Sequence, residues 1–269
     1  MINTKIMGVL NVTPDSFYDG GKYSSLDTAL ARAEQMVNDG VDIIDVGGES
    51  TRPGAEQVSL DEELKRTIPV VRQITRKFNV RVSIDTYKSE VAGQAADAGA
   101  SMINDISGLT FDSKMADVVV STGAEIVIMH IKGAPKNMQV NPEYVSVTDE
   151  INGFLDKQAK VLLDKGVNKG KIIVDPGIGF GKTTQNNLEI LSGIKKFKQP
   201  GYRLLVGVSM KSFIGNCLGS EQSPLPAVDR GTGTTVAHVW LMQNNIDIIR
   251  VHDVKAAKQT LKMLSCLNS

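Results

Sequence analysis

Eight short apolar segments rich in β-branched residues occur along this chain, and each ends where glycine or polar residues begin. The spacing predicts strands near residues 5–11, 42–47, 80–85, 102–106, 125–130, 171–175, 203–208 and 247–252. Helical periodicity fills the intervals between them. Nearly continuous apolar strands are typical of parallel sheets covered on both faces. Eight strand–helix units in about 250 residues are typical of a (β/α)8 barrel. The sequence therefore predicts an α/β fold, a single TIM-barrel domain over residues 1–269.

The composition excludes several classes of partner. Lys and Arg number 30, as do Asp and Glu, so no net charge attracts nucleic acid or an anionic membrane. No segment approaches the roughly 18 apolar residues of a membrane span. Cys217 and Cys266 are too few for a disulfide framework or a zinc cluster. Met1 leads directly into the first strand without an apolar signal segment, so we expect a cytoplasmic protein.

Polar side chains stand at the ends of four predicted strands, at Asp85, Asn104, Asp175 and Lys211. In a barrel these ends meet at one mouth. Two carboxylates and an amide there could bind a metal, act as acid and base, or read a heterocycle through adjacent N–H donors. Alternatively, each carboxylate could cap the helix that follows it. Because all four share one mouth, we favour a ligand pocket in which Lys211 meets a ring carbonyl.

The last strand indicates an anion site. Alternation places Arg250 and His252 on the same side of that strand, beside Asn11 at the end of the first strand. Phosphate sites favour this part of the barrel. The sequence therefore predicts a phosphate or pyrophosphate site at Asn11, Arg250 and His252.

Three further features of the sequence give weaker indications of function. The glycine-rich segment 175–183 ends in Gly-Lys-Thr, but Pro176 stands where a nucleotide-binding P-loop needs glycine, so we exclude a nucleoside-triphosphate site. Its glycines are expected to make room for a flat ligand beneath Phe180. His130 is equally compatible with a pocket or with packing, and His238 is expected to be structural. Long connections at 12–26, 48–60 and 131–146 are predicted to act as lids.

These motifs, in this order, resemble the dihydropteroate synthase family. The two most specific matches are the loops that follow the first and second strands, at 11–17 and 47–54. Shorter matches follow the later strands, at 85–86, 104–105, 175–182 and 250–253. The resemblance spans about residues 7 to 253, which is nearly the whole chain.

The resemblance implies a transferase of folate biosynthesis. In that reaction 6-hydroxymethyl-7,8-dihydropterin pyrophosphate loses pyrophosphate, and the amine of p-aminobenzoate takes its methylene carbon to give 7,8-dihydropteroate. Sulfonamides mimic the p-aminobenzoate. The expected order is ionisation first, followed by attack of the neutral arylamine on a methylene cation. The family also implies a homodimer formed through the later helices.

The resemblance also assigns residues to subsites. The pterin would be held by Asp85, Asn104, Met129, Asp175, Phe180 and Lys211. The pyrophosphate would be held by Asn11, Arg52, Arg250 and His252, with Asn11 as the ligand of Mg²⁺. The p-aminobenzoate site would be shaped by Thr51, Pro53, Phe180, Lys211 and Ser212. Catalytic roles would fall to Arg52, Asp85, Asp175 and Lys211.

One departure and two alternatives accompany this interpretation. Met210 stands where many members carry an arginine before the lysine, which removes a cation next to a pocket for anionic substrates. A non-catalytic pterin-binding paralogue would keep the ring pocket and lose the anion residues. The methyltetrahydrofolate-binding domain of corrinoid methyltransferases would share the pterin-reading acids, but it would need neither Arg52 nor the Arg250–His252 pair.

Overall fold

Eight parallel strands close into a barrel in sequence order, and β1 pairs with β8. The computed structural model describes residues 2–13, 25–51, 54–199 and 201–268. The strands are β1 Lys5–Asn11, β2 Ile43–Gly47, β3 Arg81–Asp85, β4 Met102–Asp105, β5 Glu125–Met129, β6 Ile172–Asp175, β7 Arg203–Gly207 and β8 Ile248–Val251. The helices are α1 Ser25–Asn38, α2 Leu60–Lys77, α3 Ser89–Asp97, α4 Met115–Thr122, α5 Val147–Asp164, α6 Thr184–Ser192, α7 Ser212–Leu218, α8 Gly231–Gln243 and α9 Val254–Leu267. The predicted (β/α)8 fold is confirmed.

The predicted strand bounds differ from the observed ones by no more than one residue at either end. Glycine follows the last residue of several helices. Gly123 follows α4 with a φ of 65°, and its N–H donates to the Val119 carbonyl. A residue with a side chain adopts that left-handed conformation only at a cost, which explains glycine at this position.

One apolar layer fills the middle of the barrel. Its members are buried on seven of the strands: Met7, Ile43, Met102, Val127, Ile173, Leu205 and Ile248. On β3 the corresponding residue is Ser83, which lies opposite Met102. Because side chains alternate along a strand, the residue two places further on also faces the interior.

That next layer, towards the carboxyl ends of the strands, is largely polar. It consists of Val9, Asp45, Asp85, Asn104, Met129, Asp175, Gly207 and Arg250, one residue from each strand. Because these eight residues occupy equivalent positions on their strands, three carboxylates, an amide and a guanidinium lie next to the apolar layer, on its carboxyl-terminal side.

The amino-terminal mouth is closed differently. Glu125 accepts a hydrogen bond from Arg81 and forms an ion pair with Arg203 at 2.9 Å. These residues stand two places before the apolar layer on β3, β5 and β7. With the apolar layer, they separate the polar pocket from this end of the barrel. Within the described ranges, no helix has both the length and the apolar character that a bilayer crossing requires.

Candidate active site

The floor of the carboxyl-terminal pocket is a network of two carboxylates, an amide and a guanidinium. Arg250 donates from Nε to Asp45 at 2.7 Å and from Nη2 to Asp85 at 2.5 Å. Asn104 donates from its amide nitrogen to the same Asp45 oxygen at 2.9 Å. With its nitrogen committed to Asp45, Asn104 keeps its amide oxygen as an acceptor for a ligand.

Asp45 is the residue of this network to which the sequence analysis assigned no role. It is completely buried, and its other carboxylate oxygen has no hydrogen-bond partner among the described residues. Asp45 lies in the middle of β2, two residues after Ile43 of the apolar layer, just as Asp175 lies two residues after Ile173 on β6. This spacing is the signal that could have identified it.

Burial raises the pKa of Asp85 to about 7. The Arg250 guanidinium opposes this shift, whereas the negative charges of Asp45, Glu63 and Asp105 add to it. Burial likewise raises the pKa of Asp175, against the opposing influence of Lys211 and of a hydrogen bond from Gly177. The pocket therefore places two carboxyl groups in surroundings of low polarity, where an N–H donor or a positive charge on a ligand interacts with them strongly.

The wall of the pocket is formed by the loops that follow β6 and β7. Asp175 accepts a hydrogen bond from the Gly177 N–H at 2.7 Å. Lys211 donates to the Ile178 carbonyl, and its Nζ lies 4.7 Å from the centre of the Phe180 ring. Burial lowers the pKa of Lys211 to about 8, while Asp175 acts in the opposite direction. An aromatic ring and a cation are thus presented together beside Asp175.

The residues that line this pocket are Val9, Asn104, Ile106, Met129, Asp175, Phe180, Gly207, Ser209, Lys211, Arg250 and His252. Seven of them were predicted as site residues from the sequence. Asp85 belongs to the same site through its contact with Arg250. Ser209 was missed; its hydroxyl lies 3.0 Å from Nδ1 of His252.

The predicted anion residues occupy one side of the mouth. Asn11 ends β1 and pairs with Gly47 of β2, while His252 follows β8 on the other side of β1. A side chain on Gly47 would come within 3.5 Å of the Asn11 amide oxygen and of Asp85, so glycine keeps this space open. The Arg250 guanidinium lines the same pocket, although two of its nitrogens are engaged by carboxylates.

The loop that follows β2 is anchored at its base by an ion-pair network. Lys88 donates to Glu49 at 2.5 Å and also to Glu63, a buried residue of α2. The Glu49 carboxylate also accepts from the Tyr87 hydroxyl at 2.5 Å and from the Val58 N–H at 3.2 Å. Because Glu49 and Val58 lie on either side of the loop, this carboxylate fixes both of its ends.

Several predicted site residues either do not line the pocket or lie outside the described residues. Thr51 is half-buried in the loop that follows β2, and Ser212 is the exposed first residue of α7. Arg52 and Pro53 lie outside the described residues, as does the segment 14–24 of the predicted first lid. The assignments of these residues stay predictions.

The carboxylates of the pocket do not cap the helices that follow them. No side chain caps α3 or α4, and Thr183 caps α6 by accepting from Asn186 at 3.1 Å. The Gly-Lys-Thr sequence is therefore explained by helix capping, since its threonine is the cap residue. This leaves Asp85 and Asp175 available to a ligand.

His130, which the sequence left open, and His238, which was expected to be structural, are both packed within the protein. His130 is buried with its ring edge-on to Phe154 at 5.1 Å, and burial lowers its pKa to about 3. His238 is buried in α8, where burial lowers its pKa to about 4. Neither ring lines the pocket of the described residues.

Met210 occupies a special backbone position between Ser209 and Lys211. Its φ is 58°, in the left-handed region that residues with side chains rarely adopt. Its N–H donates to the Thr234 hydroxyl at 3.1 Å, and its carbonyl accepts from Arg230 at 3.0 Å. The turn that presents Lys211 is therefore held by α8 and by the residue before it, through backbone groups that any side chain at position 210 would keep.

Comparison with known proteins agrees with this geometry. The family model described as pterin binding enzyme matches residues 7–252. The dihydropteroate synthase of Synechocystis sp. is 46% identical over 264 residues, covering 98% of this chain and 90% of the relative. The structure of Yersinia pestis dihydropteroate synthase with a sulfonamide drug has a TM-score of 0.91 at 39% identity, covering 99% of this chain and 94% of the other. The Xanthomonas albilineans dihydropteroate synthase with 4-aminobenzoic acid gives 0.92 at 35% identity, with the same coverages.

Proposed function

Because this chain belongs to the pterin binding enzyme family, and within it to the dihydropteroate synthases, we propose that the pocket described above is its active site. The family is shown by relatives at up to 46% identity over nearly the whole chain. The chain is accordingly a transferase that forms dihydropteroate. The assignment of subsites, the metal and the order of steps are our proposals.

We place the pterin ring on the floor of the pocket. The ring presents adjacent N–H donors, and Asp175 and Asp85 are the buried acceptors that face the interior at this depth. The Asn104 amide oxygen accepts a further ring N–H, and Lys211 meets the ring carbonyl. Met129 lines the cavity and supplies apolar contact. The cost of burying two carboxylates is offset when each accepts hydrogen bonds from the ring.

We place the pyrophosphate at the side of the mouth formed by β1 and β8. Its cationic partners would be His252, Arg250 and Arg52. The donor set also fits Mg²⁺, because this ion takes one or two protein oxygens and completes its shell with phosphate oxygens and water. The Asn11 amide oxygen, which lies next to Gly47, would be such a ligand. When bound, Mg²⁺ neutralises negative charge on the leaving pyrophosphate.

We place p-aminobenzoate above the pterin, between Phe180 and the loop that follows β2. Phe180 offers a ring face, and Lys211 and Ser212 lie at the start of α7 on the same side. Thr51 and Pro53 would complete the site. The relatives whose structures contain 4-aminobenzoic acid and a sulfonamide drug support a site for p-aminobenzoate, and we propose that sulfonamides bind at the same place in this chain.

The arrangement favours ionisation before attack. Departure of pyrophosphate leaves positive charge on the methylene carbon and the dihydropterin ring. Asp85 and Asp175 are fixed in the pocket before the reaction, so they stabilise that charge without reorganisation. The arylamine is neutral, so its attack on the cation needs no base. Closure of the loops that follow β1 and β2 would exclude water from the cation.

The observation that carries this mechanism is the pair of buried carboxylates, Asp85 and Asp175, on the floor of the pocket. The test incubates pterin pyrophosphate with Mg²⁺ and the protein in the absence of p-aminobenzoate, and follows oxygen exchange at the bridging position. We expect exchange in the parent protein and a large loss of it in Asp175→Asn. Turnover with p-aminobenzoate but without any exchange would contradict ionisation first. Absence of both would favour a non-catalytic paralogue.

We further propose a cytoplasmic homodimer. Four exposed apolar side chains lie on the last two helices: Val236, Trp240, Met263 and Leu267. Each helix contributes two residues four positions apart, which share a face. Both cysteines are free and exposed, as is typical of a reducing compartment. We expect a dimer by light scattering and a monomer for Val236→Lys combined with Met263→Lys; a monomeric parent protein would refute the dimer.

A further inference from the structure

Lys182 is a buried lysine for which the proposed reaction provides no role. Only 2% of it is exposed, and its Nζ has three acceptors. These are the Phe180 carbonyl at 2.9 Å, the His130 ring nitrogen Nδ1 at 3.0 Å and the His130 carbonyl at 3.3 Å. In its protonated form the Nζ group has three N–H donors, one for each of these acceptors. Lys182 therefore connects the end of β5 to the loop that follows β6.

The surroundings of His130 keep its ring in the form that accepts from Lys182. Burial and the neighbouring Lys182 lower the pKa of His130 to about 3, so the ring is neutral at ordinary pH. The edge-on contact with Phe154 fixes the plane of the ring. Burial also lowers the pKa of Lys182, while the charge of Asp175 opposes this effect.

The same loop lies directly against the segment that follows β5. A Cβ on Gly177 would overlap the His130 carbonyl oxygen, and a Cβ on Gly181 would overlap the Lys132 carbonyl oxygen. From the other side, the Tyr144 hydroxyl donates to the Gly181 carbonyl at 2.7 Å. The glycines of this motif therefore permit close approach of two backbones, and Lys182 joins them at the centre.

Phe180 is the ligand-facing residue of this loop. Its carbonyl is held by Lys182, and its ring lies 4.7 Å from Nζ of Lys211, which itself donates to the Ile178 carbonyl. Movement of the loop would displace the Phe180 ring, whereas Lys211 belongs to the loop that follows β7, whose turn is held separately by Thr234 and Arg230. Asp175 keeps its position without the Lys182 hydrogen bonds, because it ends β6, which pairs with β5; the charge of Lys182 acts on it only as one of several groups that lower its pKa, after Lys211 and the Gly177 N–H.

We infer that Lys182 is a positioning residue for the p-aminobenzoate subsite, acting through Phe180 and assisted by the neutral ring of His130. This inference rests on the proposed placement of p-aminobenzoate against Phe180. It separates two halves of the pocket: the pterin floor is held by Asp45 and Arg250, whereas the upper wall is held by Lys182.

The test measures KM for p-aminobenzoate, kcat, and the affinity for 6-hydroxymethyl-7,8-dihydropterin by calorimetry. The variants are Lys182→Met, Phe180→Ala and their combination. Lys171→Met is the matched control, because Lys171 also donates to a backbone carbonyl, that of Gly123 at 2.5 Å, but at the opposite end of the barrel. His130→Phe removes the ring acceptor while keeping an aromatic ring against Phe154, and it replaces Lys182→Met if that variant does not fold.

We expect Lys182→Met to raise KM for p-aminobenzoate about tenfold or more, the scale of a lost hydrogen bond from a charged group. Pterin affinity should change less than about threefold, and Lys171→Met should match the parent protein in both. Combined with Phe180→Ala, Lys182→Met should add little, because both act on one ring. An unchanged KM, an equal loss of pterin affinity, or additive effects in the combination would overturn the inference. A normal KM in Phe180→Ala alone would instead refute the placement of p-aminobenzoate in the proposed function.

Discussion

Replacing Asp45 by asparagine should change both the stability of the protein and the pH dependence of pterin binding. Asp45 is fully buried and accepts from Arg250 at 2.7 Å and from Asn104 at 2.9 Å. Arg250 and Asn104 donate to the same carboxylate oxygen, and an asparagine of the same shape can keep an oxygen there. It removes the negative charge, however, and places an amide NH2 group where the other, buried carboxylate oxygen has no hydrogen-bond partner among the described residues. Arg250 keeps its bond to Asp85 and is therefore not left without a partner.

The magnitude follows from the loss of the negative charge that accepts two hydrogen bonds and from the new buried donor, which has no acceptor among the described residues. A hydrogen bond to a charged group contributes roughly 1.5–3 kcal/mol. Because Arg250 retains one carboxylate, the loss should stay below the 3–5 kcal/mol or so that accompanies complete removal of a buried partner. We therefore expect Asp45→Asn to lower the free energy of unfolding by about 2–3 kcal/mol. Pterin affinity above neutral pH should fall about tenfold, since Asn104 and Arg250 lose their orientation.

The pH dependence moves in a direction fixed by Asp85. Burial and the charge of Asp45 hold its pKa at about 7, and a ring N–H binds only its ionised form. Pterin affinity of the parent protein should therefore decline as pH falls below about 7. Removing the Asp45 charge lowers the pKa of Asp85, so this decline moves to lower pH.

Stability responds to the same group with a defined sign. In the folded protein the pKa of Asp85 lies above its ordinary value of 3.8. The stabilisation that comes from this raised pKa is therefore fully present at a pH below 3.8. The contribution is lost as pH rises through about 7. In Asp45→Asn the pKa of Asp85 in the folded state is lower, so the variant loses less of this stabilisation as pH rises. The difference in free energy of unfolding between the parent protein and the variant should therefore be smaller at about pH 8 than at about pH 5.

The assay is calorimetry of 6-hydroxymethyl-7,8-dihydropterin between about pH 5.5 and about pH 8.5, with urea unfolding over the same range. The control is Asp42→Asn, which removes a carboxylate at the opposite end of the barrel that accepts from Lys258 at 2.6 Å. An affinity profile that stays in place or moves to higher pH in Asp45→Asn would refute the assigned coupling. An unchanged urea midpoint would refute the structural role of Asp45.

Three further outcomes are expected. Asp175→Asn should weaken pterin binding by about 1–3 kcal/mol in calorimetry, because a buried acceptor becomes a donor; near-parent affinity would remove Asp175 from the pterin site. His252→Ala should weaken binding of the pyrophosphate-bearing pterin more than that of the hydroxymethylpterin, and equal losses would place the anion elsewhere. Lys88→Met leaves Glu49 and Glu63 without their shared cation, so the free energy of unfolding should fall by about 3 kcal/mol or more in urea titration. The control is Lys136→Met, because the ion pair of Lys136 with Glu56 is exposed. A smaller change in Lys88→Met than in this control would contradict the expectation.

The sequence predicts the barrel well because its evidence is local and repeated. Each strand is a short apolar run, and a glycine such as Gly123 marks a helix end by a requirement of its own backbone. The polar ends of the strands also predict which residues meet, since topology alone brings Asp85, Asn104 and Asp175 to one mouth. These inferences need only the order of elements and the phase of each strand.

The pairing of side chains within the site could not be predicted in the same way. Nothing local distinguishes Asp45 as the partner of Arg250, which lies 205 positions away in the chain. The network of Glu49 and Lys88 depends on how the loop after β2 meets α2 and α3, which is set by packing. Similarly, the glycine-rich motif that ends in Gly-Lys-Thr can be recognised in the sequence, but the groups that accept hydrogen bonds from Lys182 cannot be predicted from it. Distances between loops follow from tertiary contacts that no periodicity records.

The common phase of the eight strands has a consequence for how this chain tolerates changes of length. Inserting or deleting one residue within a strand would turn the inward side chains beyond it outwards, towards the helices. In β2 such a slip would exchange Asp45 for an aliphatic neighbour and leave a carboxylate against the apolar outer shell. Connections that lead from a helix to the next strand, such as the turn at Gly123, lie at the amino-terminal end of the barrel. A change in their length does not alter which strand residues face the interior. Lineages related to this chain should therefore vary in length at those turns and conserve length inside the strands, even where the residues themselves change.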